Sequence, residues 1–352
     1  MDPISQGVLG AVVTKALSKK PADSQATSDG ADKGYSLGKA ALIGALAAMA
    51  PDLDVLISST TDPLLALEFH RHFTHSLFFI PIGALICSLV LHPLLGRRWR
   101  LPFKQTFIWC LLGYATHALL DGCTSYGTQL LWPLSDQRFA WDTVSVIDPL
   151  FTVPLLVLTA LAIVQQRRRW SRLAFAWVFV YLGLGFVQNE RALDMGRALA
   201  ESRGHNPVRL EVKPSFGNLL VWKLVYETDD YFYVDALKPA LRKNENKQWP
   251  GERVAKLDVA RDLPWLVVGS QQATDIERFR WFSDDYLALD PHNPMRVIDI
   301  RYSMLPHQIA PLWGIELAKN VSAQSYVRYV TSRGDTTDSR LALSQLLAMI
   351  FE

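Results

Sequence analysis

The chain has 352 residues, 49% of them hydrophobic, and its 36 Lys and Arg against 34 Asp and Glu leave a net charge of +2. That length accommodates two domains, and a mean hydropathy of +0.10 is high for a purely water-soluble protein. So small a charge, with no basic cluster alternating with aromatics, excludes a nucleic-acid surface; three cysteines without CxxC spacing (Cys87, Cys110, Cys123) argue against a disulfide framework or thiolate zinc site.

The apolar residues are unevenly placed. Residues 37–188 carry the long uncharged runs, whereas 189–352 have the mixed charge and short alternation of a water-soluble fold. This predicts an α-helical membrane bundle over 1–190, carrying a metal site, and a soluble α+β domain with an antiparallel sheet over 191–352. The start, "MDPISQGVLGAVVTKALSKK", has an acid first and its lysines after the apolar stretch, the reverse of a cleavable signal. Residues 4–17 read as a short apolar helix that dips into the membrane, and the polar Ser18–Ser36 stretch as a flexible loop. About five inserted helices follow, near 37–57, 75–95, 105–122, 149–165 and 173–189, judged against the roughly twenty residues a bilayer requires.

Short basic loops set the orientation. "GRRWRLPFK" carries Arg97, Arg98, Arg100 and Lys104, and "QQRRRWSR" carries Arg167, Arg168, Arg169 and Arg172. Both belong on the cytoplasmic side, as do Lys19, Lys20, Lys33 and Lys39 ahead of the first long helix. The loops 58–74 and 123–148 then face away from the cytoplasm, and so does the chain after residue 189. A bacterial inner membrane with an extracytoplasmic C-terminal domain is the expected location.

The ionisable residues at the non-basic helix ends form a short set: Asp52 and Asp54 in "PDLD", His70, His72 and His75 in "HRHFTHS", His117 and Asp121 in "HALLD", and Asp148 in "VIDP". Charges at that depth are costly and are paired or functional, and imidazole with carboxylate is ligand chemistry for zinc and related ions. His117 and Asp121, four apart, share one helix face about 6 Å apart. Pro51 interrupts the helical ladder and can bend the "PDLD" carboxylates inward. His92 lies about 25 Å along its helix from His75 by the helical rise and receives no role.

The order "MD", "PDLD", "HRHFTHS", "HALLDGCTSYG", "WPLSDQRF" and "DP" resembles the membrane-bound metal-dependent hydrolases of the YdjM type, over residues 1 to about 155. The resemblance implies Asp52, Asp54, His70, His75, His117 and Asp121 as the metal or catalytic set, with Arg71, Thr74, Ser76, Thr124 and Asp148 as neighbours. Family members commonly begin Met-Asp-x-x-Thr-His, where this chain has Ser5 and Gln6, and a neutral amide is a poorer zinc donor. The implied scheme has one or two divalent ions, zinc foremost, held by Asp54, His70, His75, His117 and Asp121. Water at the ion would be activated toward an ester or phosphoester of an amphiphilic, lipid-like substrate. Asp52 and Asp148 would serve as catalytic carboxylates, and Arg71 as a clamp on a phosphate oxygen. The bilayer is the expected partner, and nucleic acid is not.

Beyond residue 189, "RLEVKPS", "LLVWKLVYET", "DYFYVDAL", "MRVIDIRYSM" and "SYVRYVTSR" alternate as strands, and "SRLALSQLLAMIF" reads as a C-terminal helix. His205, His292 and His307 lack ligand spacing, and Trp222, Trp249, Trp265, Trp281 and Trp313 suit a core or a lipid contact. A cap on the site, a substrate gate or a partner-binding module are the roles this half suggests. Two other classes of function fit the whole: a transporter or metal sensor, disfavoured because no inverted repeat is visible, and an adaptor whose metal only staples the bundle.

Overall fold

A computed structural model describes residues 1–18, 37–240, 242–331 and 336–352. Nearly all of the loop expected over Ser18–Ser36 lies outside the described residues. The chain divides into two compact units: Met1–Val55 with His70–Leu184, and Leu56–Phe69 with Gly185–Glu352.

The N-terminal region is helical. In chain order it holds α1 (Pro3–Leu17), α2 (Leu37–Met49), α3 (Leu65–Phe69), α4 (Ile80–Leu91), α5 (Phe103–Gly122), α6 (Pro149–Val164) and α7 (Arg168–Ser202). Local chemistry sets several boundaries. Asp2 caps α1 by accepting from the amides of Ile4 and Ser5, both at 3.0 Å, with Pro3 at the first helical position. Asp148 and Pro149 repeat the arrangement at α6. At the end of α2, Pro51 has no N–H to continue the ladder, and the chain tightens into a 3-10 turn, Pro51–Leu56, that carries Asp52 and Asp54.

In the first unit α1, α2 and α5 cross at three glycines. A Cβ on Gly113 would lie 2.2 Å from the Gly44 carbonyl oxygen, and one on Gly10 would lie 2.5 Å from the same atom. Backbones touching backbones leave room for hydrogen only. Beside this crossing, Ile43, Ala47, Ala84, Trp109, Cys110 and Tyr114 form the apolar core. The outward faces of α4, α6 and α7 stay apolar and exposed, with Ile86, Leu89, Val153, Val157, Phe179 and Val187 among them. A face of that composition suits lipid better than water.

Of the expected inserted helices, α7 is the one clear membrane-span candidate among the described residues: 35 residues, about 52 Å at the helical rise. Leu65–His75 with Ile80–Gly96 qualifies only as a bent pair, and α6, at 16 residues, is short. The segment 37–57 yields a helix of 13 residues because Pro51 ends it. α5 has 20 residues, and with Lys104, Gln105, His117 and Asp121 among them it falls short of the apolar content of a span.

The second unit is α+β with two antiparallel sheets where one was expected. β1 (Arg209–Pro214), β2 (Trp222–Glu227), β3 (Tyr231–Lys238) and β4 (Lys247–Trp249) pair in that order, and β5 (Arg253–Ala255) also pairs with β3. β6 (Leu287–Asp290), β7 (Asn293–Asp299), β8 (Trp313–Glu316) and β9 (Arg328–Thr331) form the other sheet. β2 is buried along its whole length, as a central strand covered on both faces must be. Val225, Phe232, Val234, Tyr286, Ala288, Ile298 and Ile300 join the two sheets in one core. Two short helices precede β6, α8 (Val259–Asp262) and α9 (Gln271–Phe282), and α10 (Thr336–Phe351) packs Leu346 and Met349 on Val221 and Ala236.

Candidate metal centre

One helical turn from the glycine crossing, on the same side of each helix, stand Gln6, Ala48 and His117. Their contacts show how close the backbones come: His117 Nδ1 lies 2.5 Å from the Ala48 carbonyl oxygen, and Gln6 Nε2 lies 3.4 Å from the His117 carbonyl oxygen. A carbonyl oxygen only accepts, so Nδ1 of His117 carries the proton and Nε2 of the neutral ring presents a lone pair. One turn farther along α5, Asp121 joins it on the same face.

The turn Phe73–His75 brings in the second imidazole. His75 Nδ1 lies 3.0 Å from Thr74 Oγ1 and 3.3 Å from Asp54 Oδ2, which turns its Nε2 toward His117. The two Nε2 atoms are 2.9 Å apart. Asp52 Oδ1 lies 3.5 Å from His75 Nε2 and 3.2 Å from His117 Nε2; Asp121 Oδ2 lies 3.4 and 3.6 Å from the same two atoms. Asp52, His75, His117 and Asp121 thus offer one ligand atom each, all within 4.8 Å of one another.

The donor set fits a cation. With an ion bound and both rings protonated at Nδ1 alone, two imidazole lone pairs and two carboxylate oxygens would face one another as acceptors. A tetrahedral ion with bonds of about 2.0–2.1 Å has ligand–ligand edges of roughly 3.3 Å, and the imidazole–imidazole and imidazole–carboxylate separations bracket that value. His75, His117 and Asp121 are fully buried, while the Asp52 side chain is 23% exposed. The cluster therefore opens at Asp52.

Around this cluster lies a layer that fixes it. Asp54, buried, accepts from the Arg71 amide at 3.0 Å and from Thr74 Oγ1 at 2.9 Å, and holds His70 Nδ1 at 2.8 Å. Tyr114 donates to the Thr74 carbonyl at 2.8 Å. Arg71, with φ of +65°, pairs its Nε with Asp121 Oδ2 at 3.0 Å, donates from Nη1 to Thr124 Oγ1 at 2.9 Å, and lies over the Tyr126 ring. Gln6 donates to Asp121 Oδ1 at 2.8 Å, and the Met1 amino nitrogen pairs with the same oxygen.

The residues singled out from sequence separate into three places. His75, His117 and Asp121, read as ligands, meet in the cluster, and Asp52, read as a catalytic carboxylate, meets them there. Asp54 and His70, also read as ligands, form a hydrogen-bonded pair one step behind it, and Arg71 is occupied by Asp121 and Thr124. Asp148 stands apart: its carboxylate caps α6 through the Leu150 and Phe151 amides and accepts from Tyr181. His72 packs on Trp132, and His92 contacts Thr106 beyond α4. The Ala48 carbonyl was not visible as a site element, although the small-residue ladder Ala40, Gly44 and Ala48 marks the face of α2 that a neighbouring backbone approaches.

A helical region with exposed apolar faces around a buried Asp/His cluster defines a membrane protein with a possible metal centre. Residues 1–192 match the YdjM inner membrane protein family. That is more than half of the chain, which therefore belongs to this family. The chain is also 35% identical over 108 residues to the inner membrane protein YbcI of Escherichia coli (strain K12), a match spanning 29% of this chain and 60% of that relative. No solved structure matches.

Proposed function

We propose that the protein is a metal-dependent hydrolase of the inner membrane, acting on an ester or phosphoester of an amphiphilic substrate. Asp52, His75, His117 and Asp121 would hold the divalent ion, which when bound supplies Lewis acidity and lowers the pKa of water. The observation that carries this reading is the convergence of four acceptor atoms from three chain segments, the Pro51–Leu56 turn, the Phe73–His75 turn and α5, on one point that opens at Asp52. The remaining roles belong to the protein's own groups. The Ala48 carbonyl and the Asp54/Thr74 pair fix the tautomers of His117 and His75, and Arg71 with Gln6 holds Asp121 in place.

His70 takes the role of proton carrier. Its ring is 24% exposed, Asp54 fixes its Nδ1, and its centroid lies 6.0 Å from that of His75, so Nε2 remains to exchange a proton at the rim. In this assignment Asp148 is a structural cap. The exposed apolar faces of α4, α6 and α7 support a lipid-borne substrate, and the arginine loops support a C-terminal unit outside the cytoplasm.

A second reading, a metal staple without catalysis, is favoured by the same four groups, because they suffice to close a tetrahedral site. Elemental analysis of the purified protein, with generic phosphoester and ester substrates, separates the two. Stoichiometric metal lost in His117→Ala and Asp121→Asn, with hydrolysis lost but metal kept in His70→Ala, is the expected pattern. Metal without hydrolysis in any preparation leaves the staple, and metal-free protein refutes both.

A further inference from the structure

The segment Leu56–Phe69 leaves the first unit between two parts of the metal centre. It departs just after the turn bearing Asp52 and Asp54, and returns at His70. Its two ends are tied by Asp54, which holds His70 Nδ1 at 2.8 Å and the Arg71 amide at 3.0 Å. The neck of the excursion is therefore the layer that orients His75.

Leu64 and Leu67 bury their side chains in the body of the excursion, and one side chain on α9 supplies its ion pairs. Arg278 Nε donates to Glu68 Oε1 at 2.6 Å and Nη2 to Glu68 Oε2 at 3.0 Å. Nη1 and Nη2 donate to the two oxygens of Asp62 at 3.0 and 2.8 Å, and Nη1 also donates to Asp275 at 2.9 Å. A guanidinium has five N–H donors in a rigid fork, and here all five are used. Asp275 is itself fully buried, and accepts from the Val327 amide at 3.1 Å and from Gln271 Nε2 at 2.9 Å. Arg278 thus sits on a fixed base.

We propose that Arg278 is a positioning residue for the metal centre: by clasping Asp62 and Glu68 it fixes the excursion whose neck, Asp54 with His70 and Arg71, orients His75. The proposal rests on the metal reading above, with Asp54 as the orienting carboxylate.

The test uses the full chain in detergent, in three forms: wild type, Arg278→Met, and the Asp62→Asn/Glu68→Gln double variant, which leaves Arg278 on Asp275. Zn²⁺ affinity is measured by calorimetry on metal-free protein, the thermal midpoint without metal is recorded, and amide exchange is followed over residues 70–76. Both variants are expected to bind Zn²⁺ about tenfold more weakly, the lower end of what losing an outer-layer partner costs, and to exchange faster over 70–76. Affinity within twofold of wild type and unchanged exchange in a folded variant would overturn the proposal, even if the thermal midpoint falls. If wild-type protein binds no Zn²⁺ or other divalent ion, the metal reading fails, and exchange over 70–76 alone decides whether Arg278 orders the segment.

Discussion

On β2 the Lys223 side chain is buried and its ammonium donates to Ser303 Oγ at 2.7 Å and to the Gln308 carbonyl oxygen at 2.8 Å. Burial lowers its pKa to about 7, against the pull of Asp299 and then Glu252 in the other direction. In the unfolded chain the group titrates near its ordinary 10.5. Below pH 7 it is protonated in both states, and the folded protein bears the full cost of the buried charge. Between pH 7 and 10.5 only the unfolded state keeps the proton, so stability rises with pH across that window, by about 5 kcal/mol at most. Wild-type protein is expected to gain stability relative to Lys223→Met from pH 7 to 10, measured as thermal midpoints; parallel profiles would refute this. At this scale the sequence revealed the titratable set of the candidate site but sorted it differently, giving Asp54 and His70 to the ion where Asp52 lies in the cluster. Asp52 and Asp54 differ by one intervening residue, and in a 3-10 turn that step is about 240°, so they point to different neighbours. Which one faces His117 depends on how Pro51 ends α2 and on where α5 passes, both of which are tertiary facts.

Helices and strands were legible to different degrees. Alternation marks β1, β2, β3, β7 and β9, and α10 follows from its apolar spacing, because these signals are local. Division into two sheets was not legible, since it depends on which strands pair across long sequence separations. The crossing of α1, α2 and α5 is the element-scale feature on which the candidate site depends. Gly44 and Gly113 touch, and one turn later Ala48 accepts from His117; any side chain at the crossing forces the helices apart just where that bond must form. Gly113→Ala, whose Cβ would meet the Gly44 carbonyl oxygen at 2.2 Å, is expected to lower stability by about 1–3 kcal/mol and to weaken Zn²⁺ binding. Gly183→Ala on α7 is the control, because nothing lies within 4 Å of its added Cβ, and it should be neutral or slightly stabilising. Equal thermal shifts and equal affinities for the two variants would show that the crossing does not position His117.

For the whole molecule, a change of character near residue 190 was legible from hydropathy, although α7 itself runs on to Ser202 and the first strand begins only at Arg209. The membership of Leu56–Phe69 in the second unit was not, because its residues look like any polar connector and its anchor, Arg278, lies far along the chain. The proposed orientation depends on α7. Its N-terminal end carries Arg168, Arg169 and Arg172, the span follows, and the helix continues as far as Ser202 into the α+β unit. Arg98 and the second unit should therefore lie on opposite sides of the membrane. Val268, 96% exposed on the second unit, and Arg98, exposed in the basic loop after α4, are suitable positions for single cysteines. Cys110 and Cys123 are buried and Cys87 is half-buried, so wild-type protein supplies the background. A membrane-impermeant maleimide is expected to label Val268→Cys in right-side-out vesicles and Arg98→Cys only in inside-out ones. The reverse pattern would put the α+β unit in the cytoplasm, and labelling of both from one side would mean that the segments between them cross an even number of times.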